Sequence, residues 1–319
     1  MRSKSIEMEP DPVSPLDNSG VISQANRTGI GVFDSGVGGL SVLRAIRVRL
    51  PGEKLIYLGD QGHVPYGPRP LEQVRSFSEG ITRFLISKGA SLIVVACNTA
   101  SAAALQYLRG AFPEISFVGM EPAVKPAAEQ THSGVVGVLA TPATFQGALY
   151  ASVVERFARG VRVLQDTCPG LVAQIEKGDL EGPQTETILR LALTPMLEQG
   201  IDTIVLGCTH YPFVIPLIHR IVGSNVRVID PAPAVARQVE RLRGQRNNPG
   251  TGLGWNNPGT GLGWAEGNSN GDITYYTTAR ALTLEEVLPR LLGEHTQACE
   301  LKWENDKLLA NPGSRTGLE

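Results

Sequence analysis

From residue 28 to about residue 243, short β-branched runs alternate with longer stretches of helical periodicity, and this alternation admits few folds. Strands are predicted at residues 29–33, 54–59, 91–96, 117–120, 134–140, 161–165, 202–207 and 226–229. Helices are predicted at 40–50, 71–88, 100–108, 144–158, 184–199, 213–222 and 234–242. The strands are unbroken apolar runs, the pattern of parallel strands covered by helices on both faces. The expected class is α/β, and 319 residues suffice for two sheets with separate cores.

Composition narrows the function. The 29 Lys+Arg nearly balance 31 Asp+Glu, and the pI is near 6.3. With no basic block, neither nucleic acid nor an anionic membrane is an expected partner. Two uncharged stretches, 89–108 and 133–154, approach the length of a bilayer span. Asn98, Thr99 and Ser101 interrupt the first, and Thr141, Pro142, Thr144 and Gln146 the second. Each is expected to be a strand, a polar loop and a helix, so no membrane segment is expected. Residues 1–27 lack the apolar core of a secretory signal and are expected to form a disordered extension. Cys97, Cys168, Cys208 and Cys299 are too scattered for a disulfide framework or a zinc site, so no metal and a cytoplasmic location are expected.

Between residues 245 and 271 the composition changes, and the nonapeptide NNPGTGLGW occurs twice in tandem. Two copies cannot bury a solenoid core, so a flexible Gly/Asn-rich insertion is expected. A strand at 273–278 and a helix at 282–292 follow, and residues 296–319 are expected to be a flexible tail.

Four segments carry residues suited to chemistry. Asp34-Ser35-Gly36-Val37-Gly38-Gly39 joins a strand to a helix, where glycines let backbone N–H groups surround an anion. Its spacing is not a dinucleotide fingerprint, no Gly-Lys-Ser/Thr follows, and a simple tight turn is an equal reading. Val64-Pro65-Tyr66-Gly67 could present the Tyr66 hydroxyl and the Gly67 N–H to a ligand, or be a rigid turn. Cys97-Asn98-Thr99 lies between a strand and a helix N-terminus, a place that favours thiolate; Asn98 and Thr99 could equally cap the helix. Cys208-Thr209-His210 ends another strand. IVVACNTA and IVLGCTHY thus place a cysteine at equivalent strand edges, where open sheets bind ligands. Cys168 and Cys299 lack that context and are read as structural.

One thiol, His210 and Asn98 would serve a cysteine amidohydrolase, but that leaves the second strand-edge cysteine idle, and His210 stands only two residues from its thiol. Two opposed thiols suit inversion of a stereocentre, in which one removes a proton and the other delivers one. Asp34 would then face a substrate ammonium, with Ser35, Gly67, Asn98 and Thr209 towards carboxylates. A protein that only binds amino acids is a third reading.

In order, FDSGVGGLSVL, GDxxxxPYG, VVACNTAS and LGCTHYP resemble the glutamate racemases of the aspartate/glutamate racemase superfamily. The resemblance implies cofactor-independent, two-base interconversion of L- and D-glutamate, with the D-form supplied to bacterial peptidoglycan. It implies that Cys97 acts on the D-enantiomer and Cys208 on the L-enantiomer, assisted by Asp34 and His210 respectively. Asp34, Ser35, Tyr66, Gly67, Asn98, Thr99, Thr209 and His210 would line the substrate, with Thr141 and Thr144 adding carboxylate contacts and Glu176 an auxiliary acid. The implied fold is two flavodoxin-like domains, 28–120 plus 231–295 and 121–230, with the active site in the cleft between them. Oligomeric state varies among such enzymes, a homodimer included. Aspartate racemase is the near alternative; it tends to carry Glu after Cys-Thr, where this chain has His210.

Overall fold

The computed structural model describes residues 28–247 and 271–311. The predicted N-terminal extension, both nonapeptide copies apart from Asn247, and residues 312–319 lie outside the described residues.

Strand and helix alternate from the start: β1 (Gly29–Asp34), α1 (Leu40–Arg49), β2 (Leu55–Gly59), α2 (Leu71–Ser87), β3 (Ala90–Val95), α3 (Asn98–Ala111) and β4 (Ser116–Gly119). After α4 (Val124–Gln130) come β5 (Val135–Ala140), α5 (Pro142–Gln146), α6 (Ala148–Phe157), β6 (Arg162–Asp166), α7 (Leu171–Glu176) and α8 (Pro183–Glu198). Then follow β7 (Thr203–Gly207), a 3₁₀ turn (Tyr211–Val214), α9 (Ile215–Val222) and β8 (Arg227–Ile229). The chain ends with α10 (Ala232–Asn247), β9 (Ile273–Thr277), α11 (Ala281–Leu292), β10 (Ala298–Glu304) and β11 (Lys307–Ala310). All eight strands expected before residue 230 form. The helix expected at 144–158 divides at Gly147, whose extended backbone separates α5 from α6.

Seven strands make one sheet in the order β11-β10-β9-β2-β1-β3-β4, and four make the other, β6-β5-β7-β8. Every pairing is parallel except the β10–β11 hairpin. β1, β3 and β7 are buried along their whole length, which is why they read as continuous apolar runs. In the first sheet the chain passes from β1 to β2 on one side and then to β3 on the other. The second repeats this, from β5 to β6 and back to β7. Each sheet therefore has one switch point, between β1 and β3 and between β5 and β7, and ligands of open parallel sheets bind outside the strand C-termini there.

One apolar layer runs between the sheets: Leu43 and Ile46 of α1 join Val235 and Val239 of α10 and Leu217 of α9 in a single buried cluster. Cutting Leu43 to Ala would open a void there and cost about 2–5 kcal/mol.

The tail departs from expectation. Instead of staying flexible, residues 298–310 extend the first sheet by two strands, with Leu301 and Leu308 buried, and half-buried Cys299 in β10. Asn305 and Asp306 turn the hairpin with φ of 49° and 60°, a left-handed pair that these residue types tolerate. Trp303 donates its indole N–H to buried Asp60 Oδ1 at 2.9 Å. This indole bond and the packing of Leu301 and Leu308 hold a segment too short and too charged to announce itself by periodicity.

Candidate active site

Both switch points open on one small cavity. From the first sheet it is lined by Ser35 after β1, by Cys97, Asn98 and Thr99 after β3, and by the loop of Pro65, Tyr66 and Gly67. The second sheet contributes Thr141 after β5 and Gly207, Cys208, Thr209 and His210 at the end of β7, with Val172 of α7 alongside. The two strand-edge cysteines thus meet in one site, each buried.

The Cys97 side is the quieter of the two, its thiol having neutral hydrogen-bond partners. Its sulfur, rather than Asn98 or Thr99, caps α3 by accepting the Ala100 N–H at 3.4 Å, and the thiol points at Ser35 Oγ 3.8 Å away. Burial, reinforced by the nearby Asp34 carboxylate, pushes this thiol up to about 12. Because the cap is sulfur, the Asn98 side chain is released. Its Oδ1 and Nδ2 are both buried and without a protein partner, in a residue that lines the cavity.

The Cys208 side contains a chain of ionisable groups. Cys208 Sγ lies 3.6 Å from His210 Nδ1, and the other ring nitrogen, Nε2, lies 2.6 Å from Glu176 Oε1. His210 therefore reaches its thiol despite standing two residues away. Burial by itself would lower the imidazole, but the hydrogen bonds to Cys208 and Glu176 outweigh it and hold His210 well above its ordinary value. Glu176 Oε1 also accepts the Val37 N–H at 2.8 Å, across the cleft.

Other expected residues take different places. Asp34 does not line the cavity. It is buried behind it, accepting the Gly36 N–H at 3.0 Å and the Thr209 hydroxyl at 3.1 Å, and burial raises it although His210 pulls the other way. Tyr66 lines the cavity, but its hydroxyl donates to Asp60 Oδ2 at 2.6 Å. The glycines of the first loop make room for protein rather than an anion. A Cβ on Gly38 would stand 2.5 Å from both His210 Nδ1 and Thr209 Oγ1, and one on Gly36 would overlap the Glu176 carboxylate. Thr99, Thr141 and Thr144 form a hydroxyl ladder across the cleft, with oxygens 3.4 and 3.1 Å apart. Among the described residues, no three His, Cys, Asp or Glu side chains gather as a metal site, and no helix is long and apolar enough to cross a membrane.

The model of the Asp/Glu/hydantoin racemase family matches residues 30–239, well over half of the chain. The chain belongs to that family. It is accordingly an isomerase. Among its relatives in the family, the glutamate racemase of Roseiflexus sp. is 55% identical over 217 residues, covering 68% of this chain and 80% of that protein. The glutamate racemase of Ectopseudomonas mendocina is 49% identical over 268 residues, 84% and 96% of the two chains. The fold is similar to that of Escherichia coli glutamate racemase, solved with L-glutamate and the activator UDP-MurNAc-Ala. The TM-score is 0.72 at 30% identity, covering 89% of this chain and 99% of that one. A glutamate racemase isoform from Bacillus anthracis also superposes with a TM-score of 0.72, at 31% identity over 88% and 99% of the two chains.

Sequence reasoning missed three parts of this racemase-family site. Gln61 touches Glu176, Ser41 donates to the Thr209 carbonyl at 2.9 Å, and Asp60 gathers Tyr66, His63, Thr278 and Trp303. Asp60 stood in view within GDxxxxPYG; a fully buried carboxylate needs donors, and that was the available signal.

Proposed function

We propose that the chain interconverts L- and D-glutamate without a cofactor, using Cys97 and Cys208 as opposed acid and base. The observation that carries this reading is the meeting of two strand-edge thiols, one from each sheet, in a cavity where the Asn98 amide has no protein partner. In one direction a Cys208 thiolate removes the Cα hydrogen of L-glutamate and the Cys97 thiol delivers its proton to the opposite face. The reverse reaction swaps the roles. The raised Cys97 thiol fits the donor role, and the ammonium of a bound amino acid, placed beside it, would draw it down for the return. Asn98, Thr99, Thr209, Ser35 and the Gly67 backbone would hold the carboxylates, and His210 with Glu176 would manage the Cys208 proton. The similarity to glutamate racemases supports glutamate as substrate and supply of D-glutamate to peptidoglycan, in the cytoplasm, as the product's use.

One feature favours a second reading. Cys208, His210 and Glu176 stand in the order nucleophile, base and orienting acid, which a cysteine amidohydrolase would use. Incubating the protein with L-glutamate in D₂O, without pyridoxal phosphate or metal, separates the two. Loss of ellipticity with deuterium entering Cα is expected. Absence of Cα exchange with glutamate and aspartate alike would sink the racemase proposal and favour the hydrolase.

A further inference from the structure

Glu176 meets His210 in one orientation of its carboxylate, and a side chain from the other sheet sets that orientation. Gln61, in the loop after β2, is buried and donates from Nε2 to Glu176 Oε2 at 3.2 Å. Its amide is not free to turn over. Turned over, it would set its oxygen against the Glu176 carboxylate, acceptor to acceptor; as placed, Gln61 Oε1 accepts the Thr277 hydroxyl at 2.9 Å. The oxygen end of the amide thus lies on β9 and the NH₂ end on Glu176. With Oε2 so engaged, Oε1 receives both the Val37 N–H and His210 Nε2. A single hydrogen-bonded chain thus runs from Thr277 through Gln61, Glu176 and His210 to Cys208.

We propose that Gln61 is a positioning residue that holds Glu176 in the rotamer gripping His210, and so keeps the imidazole aimed at Cys208. Its kinetic consequence rests on the two-thiol reading; the juxtaposition does not. The ionisable groups facing the imidazole are Cys208 beside it, Glu176 from α7 and Asp34 from β1. Gln61 is neutral and acts through where Glu176 sits.

The test uses the full chain with Gln61→Met, which keeps the volume and removes the donor, and Thr277→Val, which takes away the hydroxyl that seats the amide oxygen. The titration of the His210 ring, followed by NMR on ¹⁵N-histidine protein, is expected to move to lower pH in Gln61→Met as Glu176 swings away. A midpoint that stays or rises would mean Glu176 remains seated without Gln61, its carboxylate merely more basic for losing a donor, and would overturn the proposal. Since the two enantiomers have equal free energy in solution, kcat/KM falls by one factor in both directions, roughly tenfold for the lost hydrogen bond to a charged group. The deuterium isotope effect at Cα should rise for the enantiomer that Cys208 deprotonates and stay level for the other. A uniform loss with both isotope effects unchanged would indicate a loosened cleft and also overturns it. Thr277→Val should show the same pattern more weakly. A lowered His210 midpoint in a protein whose wild type does not racemise would uphold Gln61 and refute the function proposed above, so the two failures read apart.

Discussion

Cys97 and Cys208 occupy equivalent places in two sheets, each just past a buried parallel strand at a switch point, yet their surroundings differ. Cys97 has a serine hydroxyl and a backbone N–H beside it, and the charge of nearby buried Asp34 opposes ionisation of the thiol. Cys208 has an imidazole at 3.6 Å, itself held by Glu176. Fold position brings the two sulfurs into one cavity, and the neighbours set the electrostatic surroundings of each. One thiol has neutral hydrogen-bond partners, whereas the other has an ionisable one.

Removing either sulfur is the largest break of this comparison. Cys97→Ser and Cys208→Ser are each expected to lower glutamate racemisation by about 10²–10⁴-fold, as loss of an essential acid or base does. Polarimetry measures it, and a Cys97→Ser enzyme that keeps full turnover would mean the sides are not partners. Next comes His210→Asn, expected to cost roughly 10²-fold, again within the range for acid–base groups. The raised imidazole also gives a stability signature with a definite sign. The contribution of His210 is complete below the unfolded imidazole value of about 6.5 and is lost as pH rises through the higher folded value. Urea midpoints of wild type and His210→Asn should therefore differ most at acidic pH and converge at alkaline pH.

Asn98→Ala probes the quiet side. With no partner to lose, it should leave the melting temperature unchanged or raise stability by about 1 kcal/mol, while kcat/KM falls, mostly through KM. A clear loss of stability would show the amide to be structural. The smallest effect is expected from Trp303→Phe, which deletes the indole bond to Asp60 behind the Pro65–Gly67 loop. About 1 kcal/mol of stability should go, read as a drop of a few degrees in Tm, with little change in kcat.

Much of this was legible beforehand. β1 to β8 lie within a few residues of their expected positions because a buried parallel strand must be apolar at nearly every residue. Both cysteines were identifiable because a strand end followed by a helix start is a local pattern. The hairpin at 298–310 was not, since its two strands expose charged side chains and bury few residues each; Asn305-Asp306 was its readable sign. Asn98 was legible as a residue but not in its role, because only the sulfur cap on α3 shows that its amide is left over.

The alternation of strand and helix, the parallel character of the sheets and a thiol at each of two strand ends can all be read from the residues in order. Those features depend on side-chain periodicity over ten or so consecutive residues, which one chain displays without help. The contacts of Thr209 with Asp34, 175 residues earlier, of Glu176 with His210, and of Gln61 with Glu176 appear only once the chain is folded. Such contacts follow from the order of strands within each sheet and from the apolar layer that docks one sheet's helices on the other's, and no local period encodes either.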